Sequence, residues 1–244
     1  MDSGYYAACA GLSAQTQALD LIAHNVANLN TTGYRGQQQT FQSVVASASG
    51  EFANPLNRVI NNFDVLGDTR TDLSSGSLQA TGNAPDLGIE GEGFFVVQSQ
   101  AGQVFTRNGN FQISSIGQLL TQTGDPVLGE QGPITVPSGP LSISADGTIS
   151  VKGALVDKLL LVELAPGSSP VAVGASYYSA PNKAFQPAAH SSVRQGMLEA
   201  SNVNPVTAVV DLIAVQRRAE MLERAMSAFY STFNKVAAND LPHV

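Results

Sequence analysis

Residues 206–236 read VTAVVDLIAVQRRAEMLERAMSAFYSTFNKV. From Ala208 the apolar positions run Leu212, Val215, Ala219, Leu222, Met226, Phe229, Phe233 and Val236. Steps of four and three alternate without a miss, the 3.5-residue period of a coiled-coil seam. Glu220 precedes Arg224 by one turn, acid before base, the order that supports a helix. At 1.5 Å per residue this helix is roughly 45 Å long, more than a small neighbouring domain can cover. It therefore predicts a helical partner along its length, with a terminal helix packed on its own globular core as the alternative.

The opening residues supply a matching pattern. Tyr5, Leu12, Leu19 and Val26 recur every seven residues, and Ala8, Ile22 and Leu29 fill the companion phase. Gln15 interrupts that second row. A polar residue at a seam can fix register at a cost in stability, and a solvent-facing interruption is the other reading. Helix should end near Asn28-Leu29-Asn30-Thr31-Thr32-Gly33, because Asn, Thr and Gly favour caps and turns. At the far end, Ser201-Asn202-Val203-Asn204-Pro205 carries cap chemistry, with Pro205 suited to the first helical position.

Between the helices the pattern changes. Phe41 to Asp64 is rich in Ser, Ala and Asn and is broken by Pro55, as in an extended connection. From Thr71 to Leu164, short β-branched and aromatic runs are divided by turn residues. Residues 94–97, 104–106, 134–136, 141–143 and 159–162 are strand candidates. Asn108-Gly109 and Asp146-Gly147 sit where two-residue hairpins need positive φ. The expected fold is α+β: long N- and C-terminal helices pairing as a coiled coil, with an inserted antiparallel all-β domain. The expected boundaries are 1–40 for the first helix, 41–70 for an extended linker, 71–197 for the β domain and 198–244 for the last helix.

Composition narrows function. Of 244 residues, 43% are hydrophobic and only 13% charged, and the net charge of -7 argues against a nucleic-acid surface. The single cysteine, Cys9, excludes an internal disulfide framework and any multi-cysteine metal site. No run is long and apolar enough for a transmembrane segment. Met1-Asp2-Ser3-Gly4 lacks the basic and apolar regions of a secretory leader, so export would proceed without a cleaved signal peptide.

Catalytic motifs are missing. His24, His190 and His243 are isolated, and Gly91-Glu92-Gly93 leads into a strand and lacks the third glycine of a dinucleotide loop. Asp86, Glu90 and Glu92 could face one another across a turn as a carboxylate pair would, but acidic residues near turns are usually solvated. No catalytic, cofactor-binding or metal-binding residue is assigned, no cofactor is expected, and neither is a small-molecule substrate.

The residues at the two helix ends carry a resemblance. Ala27-Asn28-Leu29-Asn30-Thr31-Thr32-Gly33-Tyr34-Arg35 resembles the segment that follows the first helix in flagellar rod and hook proteins. Residues 198–206, from Leu198 through Asn202 to Val206, with Gln216-Arg217 beyond, resemble the C-terminal signature of that family. Residues 89–95 and 105–111 look like its β-domain blocks. The chain length and residues 127–137 resemble the proximal-rod type. Asp211 and Arg218-Ala219 depart from the family pattern without breaking the helix.

The resemblance implies a structural subunit of the bacterial flagellar basal-body rod, polymerising through its terminal helices into a tubular shaft that transmits torque and houses the export channel. Implied partners are copies of the chain, other rod proteins and the flagellar export apparatus, in the periplasmic part of the basal body. The alternatives are a distal-rod subunit, a cell-wall or carbohydrate-binding β module on helical stalks, and a coiled-coil adaptor. Seam and signature together assign the assembly interface to Leu12, Leu19, Ile22, Val26, Asn28, Thr31, Gly33, Tyr34, Asn202, Val203, Leu212, Val215, Leu222, Met226, Phe229 and Phe233. Burying a large seam residue yields about 1.5–3 kcal/mol and ordering a residue costs about 1–2 kcal/mol. A lone helix pair is then near balance, which predicts ends that order on assembly.

Overall fold

The computed structural model describes residues 2–42, 65–100, 102–174, 176–179, 184–188 and 190–240. The chain divides into a helical unit (residues 1–26, 37–70 and 204–244) and a β unit (residues 27–36 and 71–203).

The helical unit holds α1 (Asp2–Ala27) and α2 (Pro205–Asp240). Asn204 caps α2: its Oδ1 accepts from the main-chain N–H of Val206 at 2.9 Å and of Thr207 at 3.3 Å. Pro205, whose missing N–H costs nothing there, opens the helix. The helices meet at Cys9 Sγ and Met226 Sδ, 3.8 Å apart. They meet again at Gly11, where a Cβ would lie 3.5 Å from Leu222 Cδ1. On α2, Ala208 and Val215 are buried, Leu212, Ala219, Leu222 and Met226 are half-buried, and Phe229 is 52% exposed. The side chains of Tyr5, Ala8, Phe233 and Val236 lie outside the described residues.

The same unit contains a two-stranded sheet of β1 (Gln37–Gln42) and β2 (Val65–Thr71). Regular pairing therefore occupies both ends of the stretch read as a linker, whose residues 43–64 lie outside the described residues. Asn25 fixes the start of β1 to α1. Its Nδ2 donates to Gln37 O at 2.8 Å and its Oδ1 accepts from Gln37 N at 2.9 Å, which imitates one rung of a ladder.

The β unit begins with β3 (Leu78–Ala80), β4 (Leu87–Glu90), β5 (Phe94–Ser99), β6 (Gly102–Thr106), β7 (Phe111–Ile113) and β8 (Leu119–Thr121). It continues through β9 (Leu128–Gly129), β10 (Gly132–Pro133), β11 (Leu141–Ile143), β12 (Thr148–Val151) and β13 (Ala154–Lys158). Then follow β14 (Leu161–Leu164), β15 (Val171–Ala172), β16 (Tyr177–Ser179), β17 (Phe185–Pro187), β18 (Ser192–Gln195) and β19 (Met197–Glu199). The largest sheet has the order β15-β16-β6-β5-β14-β17, with every neighbour antiparallel. At its centre Phe94, Phe95, Val96 and Val97 are all buried, so both faces of β5 are covered and the run does not alternate. Phe95 meets Phe111 edge-on at 5.1 Å within a core that includes Leu87, Ile89, Leu119, Ile134, Ile149 and Val193. Phe94 meets Tyr178 edge-on at 5.7 Å.

Two expectations are corrected here. Asn108-Gly109 is not a positive-φ hairpin, because Gly109 keeps a negative-side backbone. Glycine is needed there because a Cβ would collide with the Leu87 carbonyl, and Leu87 N donates to Gly109 O at 3.0 Å. Ile134 and Val136 are buried and Thr135 is exposed, but residues 134–136 form no strand, with one isolated bridge from Thr135 to Gln118. Pro133 and Pro137 bracket the run and lack the N–H groups that would extend a ladder. Asp146-Gly147 does use positive φ, at +85° for Gly147, but within a longer turn closed by Ser144 N donating to Thr148 O.

Candidate functional site

The segment after α1 folds into the β unit. Thr31 Oγ1 donates to Asn28 Oδ1 at 3.0 Å, and Thr31 N to Asn28 O at 3.1 Å, turning the chain. Gly33 follows at φ +67°, and a Cβ there would collide with the Arg107–Asn108 backbone. Only glycine meets both demands. Gly33 N donates to Glu199 O at 2.8 Å, which ties the N-terminal signature to β19.

Asn202 makes the second tie. Its Oδ1 accepts from Gly36 N at 2.7 Å, while its Nδ2 donates to Asp72 O and Ser74 O, each at 3.0 Å. Asn202 N completes the join by donating to Tyr34 O at 3.3 Å. One side-chain amide therefore holds two separate stretches of chain, at Gly36 and at residues 72–74, a geometry that neither Asp nor Ser can reproduce because neither offers both donor and acceptor on a planar head.

Beneath these ties lies a buried ion cluster. Glu199 is 1% exposed, and its Oε1 accepts from Gly76 N at 2.7 Å. Arg35 Nη2 stands 2.9 Å from the same oxygen, close enough for a strong charge pair but off the line of a hydrogen bond. Arg107 Nη1 donates to Oε2 at 3.2 Å, and its Nη2 to Gly91 O at 2.6 Å. The Arg107 guanidinium also sits 5.1 Å above the centre of the Phe94 ring. Two guanidiniums thus share one carboxylate. Burial lowers Arg107 to about 10, with Glu199 opposing that shift and Arg35 adding to it. Above the pair, Tyr178 OH accepts from Arg35 N at 3.1 Å. Burial pushes the phenols of Tyr34 and Tyr178 up to about 12.

The cluster joins and does no bond-making chemistry, because both Glu199 oxygens are already committed. The acidic residues considered as a catalytic pair are also separately engaged. Buried Asp86 accepts from Thr81 Oγ1 at 2.7 Å and Asn83 Nδ2 at 3.1 Å, bracing a turn. Glu90 pairs with Arg194 at 2.8 Å on the surface, and Glu92 is exposed. The geometry gives no support to a carbohydrate-cleaving site.

The predicted interface residues fall into both units. Leu12, Leu19, Ile22 and Val26 are half-buried on α1. Asn28 and Thr31 are half-buried in the turn, Gly33 and Tyr34 are buried, and Asn202 and Val203 are half-buried beside them. On α2, Leu212, Leu222 and Met226 are half-buried and Val215 is buried, while Phe229 faces solvent. Arg35, Arg107 and Glu199 were not singled out from sequence. Nor was a second face of α2, where Val206, Val209, Val210 and Ile213 are exposed at helical spacing. That i, i+3, i+4, i+7 pattern was readable but overshadowed by the longer seam.

Comparison with known proteins matches three family descriptions in chain order. Residues 6–35 match "Flagella basal body rod protein", residues 88–151 "Flagellar hook protein FlgE/F/G D1 domain", and residues 194–238 "Flagellar basal body rod FlgEFG protein C-terminal". The chain is 34% identical to the flagellar basal-body rod protein FlgF of Caulobacter vibrioides over 232 residues, covering 93% of each. It is 34% identical to FlgF of Salmonella typhimurium, covering 93% of this chain and 94% of the relative. Against the flagellar basal-body rod protein FlgG of Bacillus subtilis the identity is 29%, over 87% and 89%.

Proposed function

We infer that this chain, which belongs to the flagellar basal-body rod protein family and is FlgF-like within it, builds the proximal rod by packing its helical unit against copies of itself and other rod proteins. It is a structural subunit of the basal body and not an enzyme. The observation carrying the assembly reading is the outward apolar row on α2. Val206, Val209, Val210 and Ile213 are between 45% and 71% exposed on one helical face, more contiguous apolar surface than scattered exposure accounts for.

In this reading α1 and α2 pair as a short antiparallel coiled coil through the stripe from Ala208 to Met226. The second face of α2 and the exposed Phe229 take helices of neighbouring subunits. The β unit, with the signature segments locked into it, carries lateral contacts and passes torque to the helices. The assembled shaft encloses the export channel, lies in the periplasm, and receives subunits from the export apparatus without a cleaved signal. The FlgG relatives, at 28–29% identity over similar lengths, make a distal-rod position the second reading.

The test is the double variant Val209→Asp with Ile213→Asp, expressed in cells lacking the native gene. Swimming and rod incorporation should be lost while the near-ultraviolet circular dichroism of the purified protein is kept. Phe229→Asp with Phe233→Asp should behave alike. Normal swimming in both would sink the assembly reading.

A further inference from the structure

We propose that Gln15 holds the α1–α2 pairing of the free subunit below full stability, so that a second copy, and not the lone chain, completes the helical unit. The proposal rests on the reading of that unit as the assembly element. Gln15 lies on the stripe of α1 between Leu12 and Leu19, and all three are half-buried. Its Oε1 is buried without a hydrogen-bond partner among the described residues. It is therefore a seam residue and not a solvent-facing interruption.

One turn before Gln15, a Cβ on Gly11 would lie 3.5 Å from Leu222 Cδ1, so this part of α1 faces α2. A buried acceptor without a donor costs more than an apolar group of the same shape. Pairing is thus penalised at one point near the middle of a seam otherwise made of Leu, Ile, Val, Ala and Met.

Such a penalty suits a pair that must open and re-form. The outward row on α2 is uncovered in the lone chain. A fully apolar seam would hold the pair in its solitary arrangement. With Gln15 in place the pairing stays exchangeable, and either water or a donor from the second copy can reach the acceptor once the helices part.

The experiment uses the full-length chain with Gln15→Met, which keeps length and removes the acceptor, and Gln15→Leu as a second apolar variant. The measurements are loss of 222 nm ellipticity in urea and the rate of proteolytic cleavage within residues 2–27 and 205–240 of the dilute protein. Gln15→Met should raise protection of both ends about tenfold, the ratio expected from removing one unsatisfied buried acceptor. In cells the same variant should incorporate less and swim more slowly. Unchanged or reduced protection would show that the acceptor carries no penalty and would overturn the proposal. Increased protection with normal swimming would overturn it as well, by removing the link to assembly. Either result leaves the rod reading intact if Val209→Asp with Ile213→Asp still stops swimming.

Discussion

In the β unit, Glu199 is 1% exposed and meets two arginines and a main-chain N–H, and Phe95 is fully enclosed by its core. In the helical unit, Val206 is 71% exposed, and the Gln15 acceptor is buried with no donor among the described residues. The first unit has placed its charges inside and paired them, although Arg35 Nε, Nη1 and Nη2 and Arg107 Nε have no hydrogen-bond partner among the described residues. The second leaves a row of apolar surface wet. This difference in completion is what a polymer subunit needs: one part must keep its shape before assembly, and the other must gain from a neighbour. Stability measured on the lone chain should therefore report mainly the β unit, and assembly mainly the helical one.

The strongest way to break that division is Glu199→Ala. It leaves Arg35 and Arg107 buried beside each other without their carboxylate, and losing one partner of a buried ion pair costs about 3–5 kcal/mol. Urea unfolding followed by near-ultraviolet circular dichroism should show a loss of that size, or no folded β unit at all. A loss below about 1 kcal/mol, as for a surface pair, would mean that the cluster is not the tie between the signatures.

Gly33→Val should come next, at about 1–3 kcal/mol for forcing a β-branched residue into the left-handed region, with the added collision against Arg107–Asn108. Here the comparison can be sharpened, because the residue follows α1 in sequence but belongs to the β unit. The near-ultraviolet signal should fall at lower urea than in the parent while 222 nm ellipticity of the helices changes less. Equal shifts in both signals would show that the two units unfold as one.

Sequence reading reached these features unevenly, for physical reasons. A helix writes its period into adjacent residues, so the stripe from Ala208 to Met226, the end of α1 before Asn28 and the Asn204–Pro205 cap were all visible. Gly33 was visible as a backbone residue because turn chemistry is local. The Arg35–Glu199–Arg107 cluster was not, since its members come from three distant blocks and each alone reads as an ordinary charge. Asn108-Gly109 misled because a glycine used for close approach looks the same in sequence as one used for positive φ. For Gln15, sequence left the seam and solvent readings open, and the burial of its amide oxygen decided between them.

The smallest effect expected is a slope at alkaline pH, and it too belongs to the β unit. Unfolded tyrosines ionise near 10, whereas burial holds Tyr34 and Tyr178 protonated to about 12. Across that window the native state keeps two protons that the unfolded state has lost, so stability falls as pH rises. Burial lowers Arg107 to about 10, a shift of the opposite sign, while its contact with Glu199 favours the charged guanidinium. The fall in stability lies between roughly pH 10 and 12. Burial also raises Tyr177, the Thr121 and Thr123 hydroxyls opposing, which steepens the fall. Urea midpoints at stepped pH, with phenolate absorbance followed in parallel, measure both sides of this linkage. A midpoint flat through the window would mean that these phenols ionise in the folded protein and that the knot around Arg35 is open to solvent.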